Sequence, residues 1–178
     1  EKKRNKNMKK TICMVYLIIL SFLCVSCSTT IIEKPTDGGL EYWLGEKVDN
    51  VDWNGHDQIT GVFGGKEYLD KRYKGVLDED GNVVHPEYYV SYTVTSYPDY
   101  SSKTKAVTSI DITDPNITIY GLSLNSSFEE IENKMKELGF TQKTSESFRF
   151  TRGKVIFSFL NKAIFIRVEV TNKRGISF

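Results

Sequence analysis

Cysteine is scarce and confined to one end of the chain. Of 178 residues only Cys13, Cys24 and Cys27 are cysteine, and none follows position 27. Everything downstream therefore lacks a disulfide framework, a CxxC zinc pattern and a cysteine nucleophile. That part is also indifferent to oxidising surroundings. Histidine is scarcer still. His56 stands beside Asp57, and His85 stands two residues before Glu87. A metal or acid–base site needs several convergent groups, and nothing pairs these two at ligand spacing. They read as exposed loop histidines, and neither a metal nor a cofactor is expected. A phosphate loop is missing too. The tract 61–66 is flanked by Thr60 and Glu67, where glycine and Ser or Thr would be needed, so its glycines read as tight turns. Asp78, Asp80 and Asn82 begin like a calcium loop. The glycine then comes too early and Tyr89 holds the place of the closing glutamate, so a plain turn is expected. A positive surface is lacking as well. Six of the 24 basic residues and one of the 23 acidic ones precede residue 28, leaving 18 against 22 and a net charge of −4. Such a surface repels phosphate backbones, so no nucleic-acid partner is expected.

No apolar run is long enough to span a bilayer. The longest, Ile12 to Val25, has 14 residues. As a helix it would reach roughly 21 Å, against a hydrocarbon core of about 30 Å. It follows Met8-Lys9-Lys10 and closes on Leu23-Cys24-Val25-Ser26-Cys27. A charged start, a short apolar middle and a small-residue end form an export signal rather than a stable span. The closing five residues resemble a bacterial lipobox, although Cys24 stands where leucine is usual. The resemblance implies cleavage between Ser26 and Cys27 and a diacylglycerol on the Cys27 sulfur. Two or three acyl chains, at about 0.8 kcal/mol per buried CH₂, would anchor the chain to the membrane. The expected layout is an upstream translation artefact over 1–7 and a signal peptide over 8–26. A lipidated cysteine and polar tether follow over 27–39, then one domain over 40–178. The chain would then sit on the extracytoplasmic face of the cell membrane, or on an outer membrane in a two-membrane cell.

Within that domain, alternation predicts strands over 73–77, 83–84, 88–95 and 107–112. The run 78–82 reads as a hairpin turn. Ser127 and Glu130 fit a capping box. Phe128, Ile131, Met135 and Leu138 then form one helical stripe, with Gly139 as its stop. Three further strands follow over 148–151, 155–160 and 163–170. In the last of these, Ile164, Ile166, Val168 and Val170 alternate with Phe165, Arg167 and Glu169. The class is α+β, an antiparallel meander sheet with one main amphipathic helix (127–138) packed on it.

The tract 117–124, the capped helix, Leu138-Gly139-Phe140 and the closing strands resemble the helix-then-meander unit of β-lactamase-inhibitor-like proteins. They are similar also to small outer-membrane assembly lipoproteins. The likeness covers about 107–170. It implies a protein-binding or envelope-structural role and transfers no site residues.

Tyrosine and tryptophan crowd the first two-thirds of the domain. Trp43, Trp53, Tyr88, Tyr89 and Tyr92 are a candidate binding face, since such residues favour interfaces and sugar-stacking surfaces. They also serve as ordinary strand and core residues. The expected role is a non-enzymatic envelope lipoprotein that binds a protein or cell-wall component. The alternatives are an inhibitor or immunity-type partner of an exported enzyme, and a hydrolase drawing on His56, Asp57, His85 and Glu87.

Overall fold

The computed structural model describes residues 32–60, 65–96, 104–143, 148–160 and 162–169. Ser26 and Cys27, and with them the whole tract read as an export signal, lie outside the described residues.

The elements, in chain order, are β1 (Gln58–Ile59), β2 (Lys66–Leu69), β3 (Val76–Leu77), β4 (Val83–Val84), β5 (Val90–Ser96), β6 (Lys105–Ile112), helix α1 (Phe128–Glu137), β7 (Thr141–Gln142), β8 (Arg149–Arg152), β9 (Val155–Leu160) and β10 (Ala163–Val168). A 3-10 turn, Val48–Asn50, precedes them. Eight strands form one antiparallel sheet in the order β1-β2-β5-β6-β10-β9-β8-β7, and β3 pairs with β4 apart from it. The fold is α+β, mostly one large antiparallel sheet with one helix among the described residues.

Alternation puts every second side chain on one face. Tyr68, Tyr92, Ile110, Ile166, Phe157 and Phe150 stand abreast across six strands. All but Tyr68 are essentially sealed from water. Helix α1 closes over this face. Its start is held by the capping box: the Ser127 hydroxyl accepts from the Glu130 amide at 3.3 Å, and the Glu130 carboxylate accepts from the Ser127 amide at 2.7 Å. Ile131 and Met135 enter the core, while Phe128 stays at the rim against Phe148. Gly139, at φ +77°, ends the helix. Phe140 then folds back, its ring centroid 5.1 Å from that of Phe157.

The polar stretch 32–39 is not a free tether. Ile32 is buried, and its carbonyl accepts from the Trp43 indole at 2.7 Å. Asp37 accepts from the amides of Tyr120 and Gly121 at 2.9 and 2.5 Å. These two residues have φ of +53° and +78°. Successive left-handed residues turn their amides the same way and make a small anion cradle, which Asp37 fills. A composition that looks solvated is thus tied down by partners more than 80 positions away.

Candidate functional site

The sheet face turned away from α1 carries two rows of side chains. One runs Leu69, Ser91, Asp111, Phe165, Ser158 and Arg149 across β2, β5, β6, β10, β9 and β8. The other places Glu67, Thr93, Ser109, Arg167, Ile156 and Thr151 side by side. In an ordinary half-wet sheet such polar residues would face water. Here the first half of the face is roofed. The segment around the β3–β4 hairpin folds over it: Thr60 donates to the Val83 carbonyl at 2.9 Å, and Gly75 donates to Asp57 at 2.9 Å. A methyl group placed on Gly75 would strike Val83 and touch Leu69.

Under the roof lies a polar cluster. Glu67, 6% exposed, accepts from the Ser91 hydroxyl at 2.5 Å, and the His85 Nε2 lies 2.6 Å from the same oxygen. The His85 ring stacks on Tyr89 at 4.1 Å. Burial alone would raise the Glu67 carboxyl, but the hydrogen bonds from His85 and Ser91 outweigh it and hold the group below its ordinary range. Asp111 goes the other way. Burial pushes it up to about 6, with the charge of Glu67 adding to the rise, against the Ser109 hydroxyl that donates at 2.9 Å. In the second row Arg167 lies between Ser109 and Ile156. Its Nε is buried with no hydrogen-bond partner, and among the described residues it makes no ion pair.

Beyond the roof the same face opens into a cavity of about 510 Å³, lined by Phe148, Arg149, Ser158, Leu160, Phe165 and Arg167. Phe148 and Leu160 are 44% and 60% exposed. The site is thus a buried acid cluster grading into an apolar groove, with Arg167 at the join. In a serine–histidine relay the hydroxyl would face the imidazole. Ser91 and His85 instead both bond to the same oxygen of Glu67, so the trio is a carboxylate clamp.

The five aromatic residues singled out as a face do not share one. Tyr92 is sealed in the core, where its hydroxyl accepts from the Glu41 amide and donates to Asp70, both at 2.9 Å. Trp43 is buried against Tyr120. Trp53 is half-buried and stacks on Tyr68 at 4.4 Å. Tyr89 is half-buried on His85, and only Tyr88 is exposed, at 52%. Tyr88 borders a separate cavity of about 520 Å³ with Glu87, Leu124 and Lys162. Period-two alternation separates these rings: Tyr92 projects opposite to Ser91, into the core, whereas Tyr88 precedes the strand.

The histidines are not exposed loop residues either. The His56 side chain is 1% exposed, with Nε2 at 2.9 Å from Glu41. His85 is 30% exposed and held by Glu67. Both partners are distant in sequence, so local composition could not reveal them. Asp78 accepts from the amides of Asp80 and Asn82, a closed turn. Glu67, Ser91, Asp111 and Arg167 were not singled out from sequence as site residues. Their one signal is polar or ionisable side chains at alternate positions of strands whose other positions are mostly apolar.

Among the described residues no helix is long and apolar enough to cross a membrane. Among them, too, no three His, Cys, Asp or Glu side chains converge to hold a metal. Compared with known proteins, the chain matches no family model, no curated protein and no solved structure.

Proposed function

We propose that this chain is exported, acylated at Cys27 and held at the extracytoplasmic face of the cell membrane, where it works as a non-enzymatic binding protein. The binding surface is the unroofed half of the sheet face away from α1. The observation that carries this reading is the groove itself. It sets exposed Phe148 and Leu160 beside two arginines, in a domain whose other large apolar side chains are mostly buried. Exposed apolar patches rimmed by polar groups mark interaction sites. The anchoring half of the reading is supported by the run 23–27 and by the compact unit beginning at Ile32, five positions after Cys27. The inhibitor-type alternative would use the same groove and differs only in the nature of the partner. The residues a hydrolase would draw on are engaged separately: His56 with Glu41, Asp57 with Gly75, and His85 with Glu67.

Two measurements test this. Intact mass of the membrane-extracted protein should show a chain beginning at an acylated Cys27, and Cys27→Ala should release the protein from the membrane fraction. A photo-crosslinking residue at Leu160 should give a discrete adduct in cells, and one at Lys136, on the outer side of α1, should not. Equal labelling at both positions would remove the groove as the binding surface.

A further inference from the structure

We propose that the cavity at Arg167 takes a small free carboxylic acid with an apolar body, the carboxylate on the Arg167 guanidinium and the body against Phe148, Leu160 and Phe165. This deepens the binding reading above and rests on it.

Three observations converge. First, the Arg167 Nε is buried and unpartnered. Buried donors in folded proteins are nearly always satisfied, and a guanidinium offers a planar fork matched to a carboxylate. Second, the protein's own carboxylates leave the Arg167 Nε without a hydrogen bond, although Asp111 lies near enough to feel the Arg167 charge. The Asp111 carboxylate accepts from Ser109, and Glu67 is occupied by His85 and Ser91. Third, the walls are apolar. Phe165 on β10 and the exposed Leu160 face the cavity, Phe148 borders it while its ring also meets Phe128 of α1, and the Ser158 hydroxyl is a second polar contact. Inorganic phosphate or another compact anion would leave those walls in water. An apolar body covers them while its acid group meets the charge. A volume of about 510 Å³ suits a small ligand, within the usual several hundred Å³ of such sites. The surrounding domain carries net negative charge, so attraction of an anion is local to this spot.

The test uses the full acylated chain in lipid nanodiscs, with empty nanodiscs as the blank, and titration calorimetry. 3-Phenylpropionate should bind saturably. 3-Phenylpropionamide, which lacks the charge, and acetate, which lacks the body, should each bind at least about tenfold more weakly. Arg167→Met should abolish binding, and Arg167→Lys should keep a weakened form of it. Leu160→Glu changes a 60% exposed position, so it leaves the fold intact and sets a like charge at the mouth, weakening binding. Equal affinity for acid and amide, or an affinity unchanged in both Arg167→Lys and Leu160→Glu, overturns the proposal. Tighter binding of N-acetyl-Leu-Phe than of 3-phenylpropionate overturns the assignment to a free acid in favour of a peptide end. If 3-phenylpropionate fails to bind while the Leu160 crosslink persists, the ligand class falls and the binding surface stands.

Discussion

Asp111→Asn removes a negative charge from beneath the roofed face of the sheet while keeping the side chain's shape. In the folded protein that carboxyl sits at about 6, raised chiefly by burial and then by the charge of Glu67. Unfolded, it returns to the ordinary value of about 3.9. Above pH 6 the group is ionised in both states, and the folded state carries the cost of the buried charge. A rise of about two units corresponds to about 3 kcal/mol, and screening lowers what is realised. Below about pH 4 the group is protonated in both states, and the cost is gone. Between these limits the folded state holds the extra proton, so this carboxyl's contribution to stability falls as pH rises. Asparagine carries no such cost and can still accept from Ser109. The variant should therefore be more stable than the parent by about 1–3 kcal/mol at pH 7.5 and nearly equal to it at pH 4. For a folded unit of this size that is a gain of roughly 3–9 °C in melting temperature at the higher pH. Urea unfolding of parent and variant at both pH values measures it. A loss of stability at pH 7.5, or the same gain at both pH values, would refute the reasoning and show that Asp111 is not held as a costly buried carboxylate.

Other consequences follow from particular contacts. Gly38 has φ +76°, and a methyl group there would lie 1.9 Å from the Thr118 carbonyl oxygen. Gly38→Ala should therefore cost about 1–3 kcal/mol in chemical denaturation, whereas a free tether at 32–39 would show no change. Ser127→Ala removes the hydroxyl half of the reciprocal cap on α1, while the amide of residue 127 can still donate to Glu130, and should cost about 1 kcal/mol; an unchanged unfolding midpoint would mean the hydroxyl contributes nothing to the helix start. Tyr92→Phe strips Asp70 and the Glu41 amide of a buried partner. It should cost about 1–3 kcal/mol, against less than about 0.5 kcal/mol for Tyr88→Ala. A reversal of that order in thermal melts would contradict the placement of the two rings. Glu67→Gln weakens the clamp whose hydrogen bonds hold that carboxyl low. Its destabilisation should appear at neutral pH and fade only as pH falls below the ordinary glutamate range, because the parent's folded-state carboxyl is held low and takes up its proton late.

What could be read along the chain was what depends on neighbours. The helix was legible because its cap, stripe and stop sit within a dozen positions: Ser127 with Glu130, Ile131 with Met135, then Gly139. β9 was legible because five of its six residues are apolar or aromatic and it runs between two turns, and the β3–β4 hairpin because Asp78 and Gly81 close it locally. β1, β2 and β7 were not. They are two to four residues long, and Lys66-Glu67-Tyr68-Leu69 carries two charges that argue against a strand until β5 is beside it. The histidines failed for the same reason. His56 and His85 sit in polar, turn-like tracts, and the carboxylates that hold them arrive from 15 and 18 positions upstream.

Sequence alone therefore determined the local devices: the helix and its ends, the hairpin, and the long strands with their alternation. Each is set by interactions among residues a few positions apart. Tertiary structure decided which face of the sheet stays open. Alternation says that Asp111 and Arg167 share a side, but it does not say that a hairpin roofs one and an apolar groove adjoins the other. Burial is a property of what lies across the sheet, and it is the chief reason that an ordinary strand aspartate is pushed up to about 6 and that a strand arginine keeps an unsatisfied donor.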